Sequence, residues 1–156
     1  MLSLPLGKWS EVHILGAPLH ARLDGAEEKM KVLLIEDSKF QRTANGRALI
    51  KAGYDVVYAA DGEEGLGATH ENIPDLILLD MMLPKMSGLD VLRALKADVL
   101  VKHIPVIVLS GLGQANEAKL LKEGAAAFLK KSTESFENNS VALIHALQSL
   151  LTGAKA

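Results

Sequence analysis

Acidic, hydroxyl and amino side chains stand at the ends of the apolar runs of this sequence. Glu36 and Asp37 follow the first long run, and Asp80 follows the most apolar one. Ser110 and Lys130 end two later runs. Carboxylates packed together raise one another's pKa values unless a cation lies among them. Oxygen ligands of this kind favour Mg²⁺, so we expect Glu36, Asp37 and Asp80 to bind it.

A magnesium site beside a hydroxyl and an ammonium group is the set that phosphoryl chemistry requires. The metal and the ammonium must together neutralise the charged oxygens of the phosphoryl group. Asp80 is the candidate nucleophile, since carboxylates form aspartyl-phosphates. Ser110 is placed to bind a phosphoryl oxygen, and Gly111 leaves room for the group. Lys130 supplies the predicted cation.

These side chains meet only if apolar runs and helices alternate along the chain, and the pattern predicts that they do. Apolar runs predict strands at 32–35, 54–60, 75–79, 106–109 and 126–129. Helices are expected at about 39–51, 61–73, 88–97 and 134–151, with a shorter one ending at Gly124.

Near-continuous hydrophobic strands that alternate with helices are typical of a parallel sheet covered on both faces. Right-handed crossovers then give a doubly wound α/β fold. In such a sheet, ligands bind beyond the carboxyl ends of the strands. The sequence therefore places its acids, its serine and its lysine at one edge of the sheet.

Composition narrows the functional classes further. The 156 residues are 49% hydrophobic and only 4% aromatic, which suits one globular domain but not base stacking. Lys+Arg 17 against Asp+Glu 19 gives a net charge of 17 − 19 = −2. No apolar run approaches the roughly 18 residues of a membrane span, and there is no Cys. We expect a cytoplasmic protein that binds neither nucleic acid nor membrane directly.

The first 29 residues differ from the rest of the chain. They lack the unbroken apolar run of an export signal and carry Lys8, Glu11 and Pro18. A strand pattern begins abruptly after Met30. We expect residues 1–29 to be an N-terminal extension, either disordered or a mis-assigned start, and residues 30–153 to form the domain.

Taken together, the strand-end residues resemble the receiver domain of two-component response regulators over about residues 30–151. That family has an acidic pair after its first strand, a phosphorylated Asp after the third, Ser or Thr after the fourth and Lys after the fifth. The run from Asp80 to Gly88, with Pro84 inside it, also resembles the family motif D-x-x-[ML]-P-x-x-x-G.

The resemblance implies a flavodoxin-like five-stranded sheet of order 2-1-3-4-5. It implies that Asp80 accepts a phosphoryl group from a sensor histidine kinase or a phosphotransfer protein. Mg²⁺ would also bind the backbone carbonyl of Met82. Because the chain ends after the last predicted helix, we expect a stand-alone receiver that signals by binding an unknown protein target. It would act as a switch and would not be an enzyme beyond its own phosphorylation and dephosphorylation.

Two positions near Lys130 depart from the family pattern. Lys131 replaces the proline that usually follows the family's lysine, and Ala127 replaces the aromatic residue three positions before it. Phe128 would point to the opposite face of the sheet. The usual aromatic switch would be missing.

Two other classes of function remain open from the residues alone. A haloacid-dehalogenase-like phosphatase also uses a strand-end Asp with Mg²⁺, but it needs a second Asp where this chain has Met82. A receiver-like interaction module that is never phosphorylated is the other. The acid and lysine set argues against such a module.

Overall fold

The computed structural model describes residues 29–111, 117–131 and 136–151, and in them five parallel strands form one sheet of order β2-β1-β3-β4-β5. The strands are β1 (Lys31–Ile35), β2 (Asp55–Ala59), β3 (Leu76–Asp80), β4 (Val106–Ser110) and β5 (Ala127–Lys130). The helices are α1 (Lys39–Lys51), α2 (Gly62–Asn72), α3 (Gly88–Ala97), α4 (Glu117–Lys122) and α5 (Phe136–Leu151). The predicted doubly wound α/β fold and its strand order are confirmed.

The three central strands are buried on both faces, which explains why their sequences are continuously apolar rather than alternating. All five residues of β3 and of β4 are buried, as are four of the five in β1. The edge strands β2 and β5 are more exposed. Asp80 and Ser110 are thus the only polar residues in β3 and β4, and burying them against hydrophobic layers demands polar partners.

Each face of the sheet carries its own hydrophobic layer. On one face β1, β3 and β4 pack against α2, α3 and α4, through residues that include Ala68, Val91, Leu92, Leu95 and Leu120. On the other face α1 and α5 contribute Leu49, Leu143 and Leu147. Because a hydrophobic layer packs on each face, the carboxyl ends of the strands are held in fixed positions at one edge of the sheet.

Serine hydroxyls cap the helices that follow β1 and β3. Ser38 accepts a hydrogen bond from the Gln41 backbone N–H at 3.3 Å, and Ser87 accepts one from Asp90 at 3.1 Å. At the end of α1, Gly53 has φ +102°, the left-handed conformation expected of a glycine after a helix. The sequence predicted both the Ser38 cap and the glycine at the end of α1.

Met30 belongs to the packed part of the domain that the structure describes. Met30 packs against the layer formed with α1 and α5, and its carbonyl accepts a hydrogen bond from the Asp55 backbone at 3.0 Å. Residues 1–28 lie outside the described residues, so the division into 1–29 and 30–153 stays a prediction.

Gly88 allows the loop after β3 to fold back over Asp80. A Cβ at this position would lie 2.6 Å from the Met81 Cα and 2.7 Å from the Asp80 carbonyl oxygen, and neither backbone atom can move cheaply. We expect Gly88→Ala to lower the free energy of unfolding by about 1–3 kcal/mol. Urea unfolding measures this.

Gly67 provides the matched control, because it lies within α2 and a Cβ there meets nothing within 4 Å. Gly67→Ala should raise the free energy of unfolding by about 0.5–1 kcal/mol through helix propensity. Equal effects of the two substitutions would show that the loop does not need the glycine.

Candidate functional site

The carboxyl ends of the central strands gather the candidate side chains at one edge. Asp80 ends β3 and Ser110 ends β4, and the adjacent strands are in register through Asp80 and Leu109. The backbone N–H of Lys131 donates to the Ser110 carbonyl at 2.7 Å. Backbone hydrogen bonds thus fix the relative heights of the site residues before any side chain contributes.

Three acidic side chains meet above β1 and β3. One carboxylate oxygen from each of Glu36, Asp37 and Asp80 lies within 4.8 Å of the other two. Glu36 is 1% exposed and Asp80 is 2% exposed, whereas Asp37 faces solvent. Of the predicted metal ligands, these three are therefore brought together as expected.

The acidic cluster fits a magnesium ion. Its donors are hard oxygens, and two oxygens bound to one Mg²⁺ lie up to about 4.2 Å apart because each bond is about 2.1 Å. The limit of 4.8 Å on the spacing of the three oxygens is close to that distance. The exposed side of the cluster also leaves room for the waters that Mg²⁺ retains.

Backbone groups hold the carboxylates in place. The Glu36 Oε2 atom accepts from the Ser38 backbone N–H at 3.2 Å, and Asp80 Oδ1 accepts from the Met82 N–H at 3.2 Å. The Arg42 guanidinium donates to the Glu36 carbonyl at 2.8 Å and so ties α1 to the end of β1. The role of the Met82 carbonyl as a metal ligand stays a prediction.

The lysine in the site is Lys131, and the expectation that Lys130 faces this crevice is wrong. Lys131 Nζ lies 3.2 Å from Glu36 Oε1 and 3.2 Å from Asp80 Oδ1, with its side chain 22% exposed. Lys130, the last residue of β5, is exposed. Neighbouring residues on a strand point to opposite sides, so an error of one residue moves the amino group out of the site.

The same correction changes the aromatic position. Phe128 stands three residues before Lys131, the spacing that the family pattern gives to its aromatic residue and conserved lysine. It is partly buried and packs against the layer of α2, α3 and α4. The expected loss of the aromatic at Ala127 is therefore wrong. Ser132, which follows the site lysine, lies outside the described residues.

Ser110 is buried and lines a cavity of about 200 Å³. The cavity wall also contains Met81, Met82, Ser87, Leu89, Lys119 and Leu120. The loop after Ser110 continues into residues 112–116, where Leu112 and Gly113 lie outside the described residues. The wall is mainly apolar, with Ser110 at the end nearest the sheet.

Gln41 belongs to the site and was not predicted. Its side-chain oxygen accepts a hydrogen bond from Lys131 Nζ at 2.8 Å. The sequence signal available for Gln41 was its position three residues after the helix-capping Ser38, which indicates a cap rather than a contact with a distant lysine. For Lys131 the signal was the aromatic residue three positions earlier.

Burial and, to a smaller extent, the neighbouring Asp80 charge raise the pKa of the Glu36 carboxyl to about 7 in spite of the Lys131 ammonium, which lowers it. The ammonium therefore offsets only part of the cost of burying these charges. A divalent cation that binds the same oxygens would offset more of it.

The raised pKa of Glu36 predicts how stability depends on pH without metal. The folded state binds this proton more tightly than the unfolded chain, whose Glu pKa is near 4.5. The free energy of unfolding therefore falls as the pH rises from about 4.5 through about 7. In Glu36→Gln this loss is absent, so the variant should exceed the parent at pH 8 by on the order of 1–3 kcal/mol.

Urea unfolding in a chelating buffer at pH 5 and pH 8 measures the difference between Glu36→Gln and the parent. The gap should shrink at pH 5, where Glu36 is protonated in the parent, and with added Mg²⁺ at pH 8. A variant with no advantage at pH 8 would show that the buried charge does not weaken the metal-free fold.

A family model described as "Response regulator receiver domain" matches residues 32–140. The chain belongs to this family. The match covers β1 from its second residue, the other four strands and the first four helices, together with the acidic cluster and Lys131. Receiver domains act in two-component signalling, and as a class they are signalling modules rather than enzymes.

Curated relatives show the same membership. The chain is 42% identical over 108 residues to the gliding motility regulatory protein of Myxococcus xanthus, a match of 68% of this chain and 14% of that protein. It is 33% identical over 101 residues to the polar-differentiation response regulator DivK of Brucella ovis, a match of 64% of this chain and 82% of the relative. The chain thus spans a small part of the first relative and most of the second.

Among solved structures, the chain is similar to the manganese-bound form of the response regulator Rcp1. The TM-score is 0.67 at 25% identity, with 77% of this chain and 92% of that one covered. None of the helices in the described part of this chain is long and apolar enough to cross a membrane.

Proposed function

We propose that this receiver domain is a switch that accepts a phosphoryl group on Asp80 from a phosphohistidine of a sensor kinase or a phosphotransfer protein. The observation that carries the proposal is the place of Asp80. Its buried carboxylate lies beside Glu36 and Asp37 and within 3.2 Å of the Lys131 ammonium. The candidate nucleophile, the candidate metal ligands and the Lys131 ammonium therefore meet at the carboxylate of Asp80.

In the transfer step a carboxylate oxygen of Asp80 attacks phosphorus and the P–N bond to the donor histidine breaks. The imidazole leaves with the bonding electron pair and takes up a proton, so the charges balance. When bound by Glu36, Asp37, Asp80 and the Met82 carbonyl, Mg²⁺ would neutralise charge on the transferring group. The manganese bound to the related Rcp1 supports a divalent ion in this site.

Lys131 and Ser110 would then detect the product. The phosphoryl group adds charge and acceptor oxygens, and the Lys131 ammonium at 3.2 Å from Asp80 is placed to pair with them. Ser110, at the end of the neighbouring strand, would donate its hydroxyl hydrogen to another oxygen. A shift of Ser110 would open space towards Phe128, whose strand neighbour is Val108.

The output is a change in affinity for a downstream protein, in the cytoplasm, without direct contact with nucleic acid or membrane. The similarity to a gliding motility regulatory protein of Myxococcus xanthus and to a polar-differentiation response regulator of Brucella ovis supports a role in signalling. Self-dephosphorylation would return the switch to its resting state. A module that never becomes phosphorylated is the rival function that the next experiment excludes or supports.

The chain should be labelled by a small phosphodonor such as acetyl phosphate only when Mg²⁺ is present. Asp80→Asn should abolish labelling, because the amide nitrogen is not a nucleophile of comparable strength. Intact-mass spectrometry measures the 1:1 product. Labelling that survives Asp80→Asn would show that another residue accepts the phosphoryl group. A parent that is never labelled would support the rival function of a module that is not phosphorylated.

The two adjacent lysines provide a matched pair for the response. Lys131→Met should accept the phosphoryl group but lose most of the amide chemical-shift changes that labelling causes in the parent, since the ammonium links the group to β5. Lys130→Met should behave like the parent because its side chain is exposed. The reverse result would restore Lys130 as the functional residue.

The phosphorylated state should be long-lived. Hydrolysis needs a water in line with the P–O bond, and the residues two beyond Asp80 and Ser110 are Met82 and Leu112, which are apolar. The double variant Met82→Asn, Leu112→Glu should lose the group several-fold faster, measured as the decay of the labelled mass after donor removal. Decay at the parent rate in this variant would refute shielding by the two side chains.

A further inference from the structure

We propose that Gln41 is a positioning residue that keeps the Lys131 ammonium paired when Mg²⁺ takes over the carboxylates, and thereby strengthens metal binding. The inference rests on the proposed function for its metal. It concerns a side chain in the first turn of α1 that does not belong to the acidic cluster.

Three acceptors surround the Lys131 ammonium. Gln41 Oε1 lies at 2.8 Å, and Glu36 Oε1 and Asp80 Oδ1 each lie at 3.2 Å. An ammonium group has three N–H donors, so the three acceptors match its capacity. Gln41 supplies the shortest of these contacts and the uncharged one.

The helix cap explains why the Gln41 side chain is available. Ser38 and Gln41 have the spacing of a capping box, in which the glutamine side chain turns back to the N–H of the capping residue. Here the Ser38 N–H donates instead to Glu36 Oε2 at 3.2 Å. The Gln41 backbone N–H still donates to the Ser38 hydroxyl at 3.3 Å. Glu36 completes the cap, and the amide turns towards Lys131.

The ammonium and Mg²⁺ compete for the same oxygens. Glu36 and Asp80 are acceptors for Lys131 and also members of the candidate metal cluster. A metal that binds them displaces the ammonium from one or both. Since the Lys131 side chain is only 22% exposed, water replaces the lost partners poorly. The Gln41 oxygen remains as an acceptor, because an amide on α1 has no part in binding the metal.

Removing this acceptor should therefore weaken Mg²⁺ binding. Gln41→Met keeps the length of the side chain but has no comparable acceptor, so the displaced ammonium would return to the carboxylates. We expect the Mg²⁺ dissociation constant to rise about three- to tenfold, less than the full loss of a hydrogen bond to a charged group, because the metal-free state loses the same contact and only the difference between the two states changes the constant. Gln41→Glu, which restores an acceptor, should bind Mg²⁺ at least as tightly as the parent.

The test is calorimetric titration of Mg²⁺ into a double-mutant cycle of Gln41→Met and Lys131→Met. Phe40→Met is the matched control, because it introduces the same residue one position away on an exposed side chain of α1. Thermal unfolding of each variant verifies the fold. Lys131→Met alone should bind Mg²⁺ more tightly, because the competing cation is gone. In that background Gln41→Met should have no further effect.

Several results would overturn the inference. Equal Mg²⁺ affinity in Gln41→Met and the parent would show that the amide does not influence the metal. A loss of affinity that persists without Lys131, or an equal loss in Phe40→Met, would assign the effect to the helix rather than to the ammonium. A parent that binds no Mg²⁺ contradicts the metal site of the proposed function itself, and with it this inference.

Discussion

The pairing of one partly buried ammonium group, that of Lys131, with two buried carboxylates is the interaction on which the site depends. Lys131 Nζ lies 3.2 Å from oxygens of both Glu36 and Asp80. At an effective dielectric constant of about 20, each pair has a gross attraction of about 5 kcal/mol. Desolvation consumes much of it, and the raised pKa of Glu36 shows that the acids remain undercompensated. The resting domain is therefore prepared to bind further positive charge and to respond when Asp80 changes its own charge.

The fold supports this arrangement of charges because it restrains the backbone at the ends of the strands. β3 and β4 are buried along their whole length, so Asp80 and Ser110 cannot leave the edge of the sheet without exposing two hydrophobic layers. The α1 helix adds a second constraint through Arg42, which binds the Glu36 carbonyl. Because the strands are rigid and the carboxylates at their ends are only partly neutralised, phosphorylation of Asp80 would produce a defined conformational change.

Sequence reasoning predicted the parallel sheet and most of the site because these depend on burial and on strand ends, whereas the strand order was implied by the family resemblance. The runs that end at Asp80 and Ser110 are continuously apolar, so each predicts a buried strand. Lys130 and Lys131 could not be separated in this way, because both are lysines and β5 is an edge strand whose burial pattern is weak. The contacts of the side chains identify Lys131 as the lysine of the site. The sequence signal that favoured Lys131 was its position three residues after Phe128.

Gln41 was beyond the reach of sequence patterns for a different physical reason. Its spacing from Ser38 predicts a local capping contact, and local contacts are usually the safer interpretation. The cap is completed by Glu36, whose position depends on how β1 meets α1. The Gln41–Lys131 hydrogen bond joins residues 90 positions apart in the chain, so it is determined by tertiary packing.

In the proposed function, Asp80 receives the phosphoryl group and Lys131 binds it. A crystal structure of the chain with Mg²⁺ and beryllium fluoride, which mimics an aspartyl-phosphate, tests both parts at once. We predict that the beryllium lies on an Asp80 oxygen, with the Lys131 ammonium within about 3 Å of a fluoride, the distance of a charge-assisted hydrogen bond. Beryllium fluoride bound to another carboxylate, or Lys130 in place of Lys131, would contradict it.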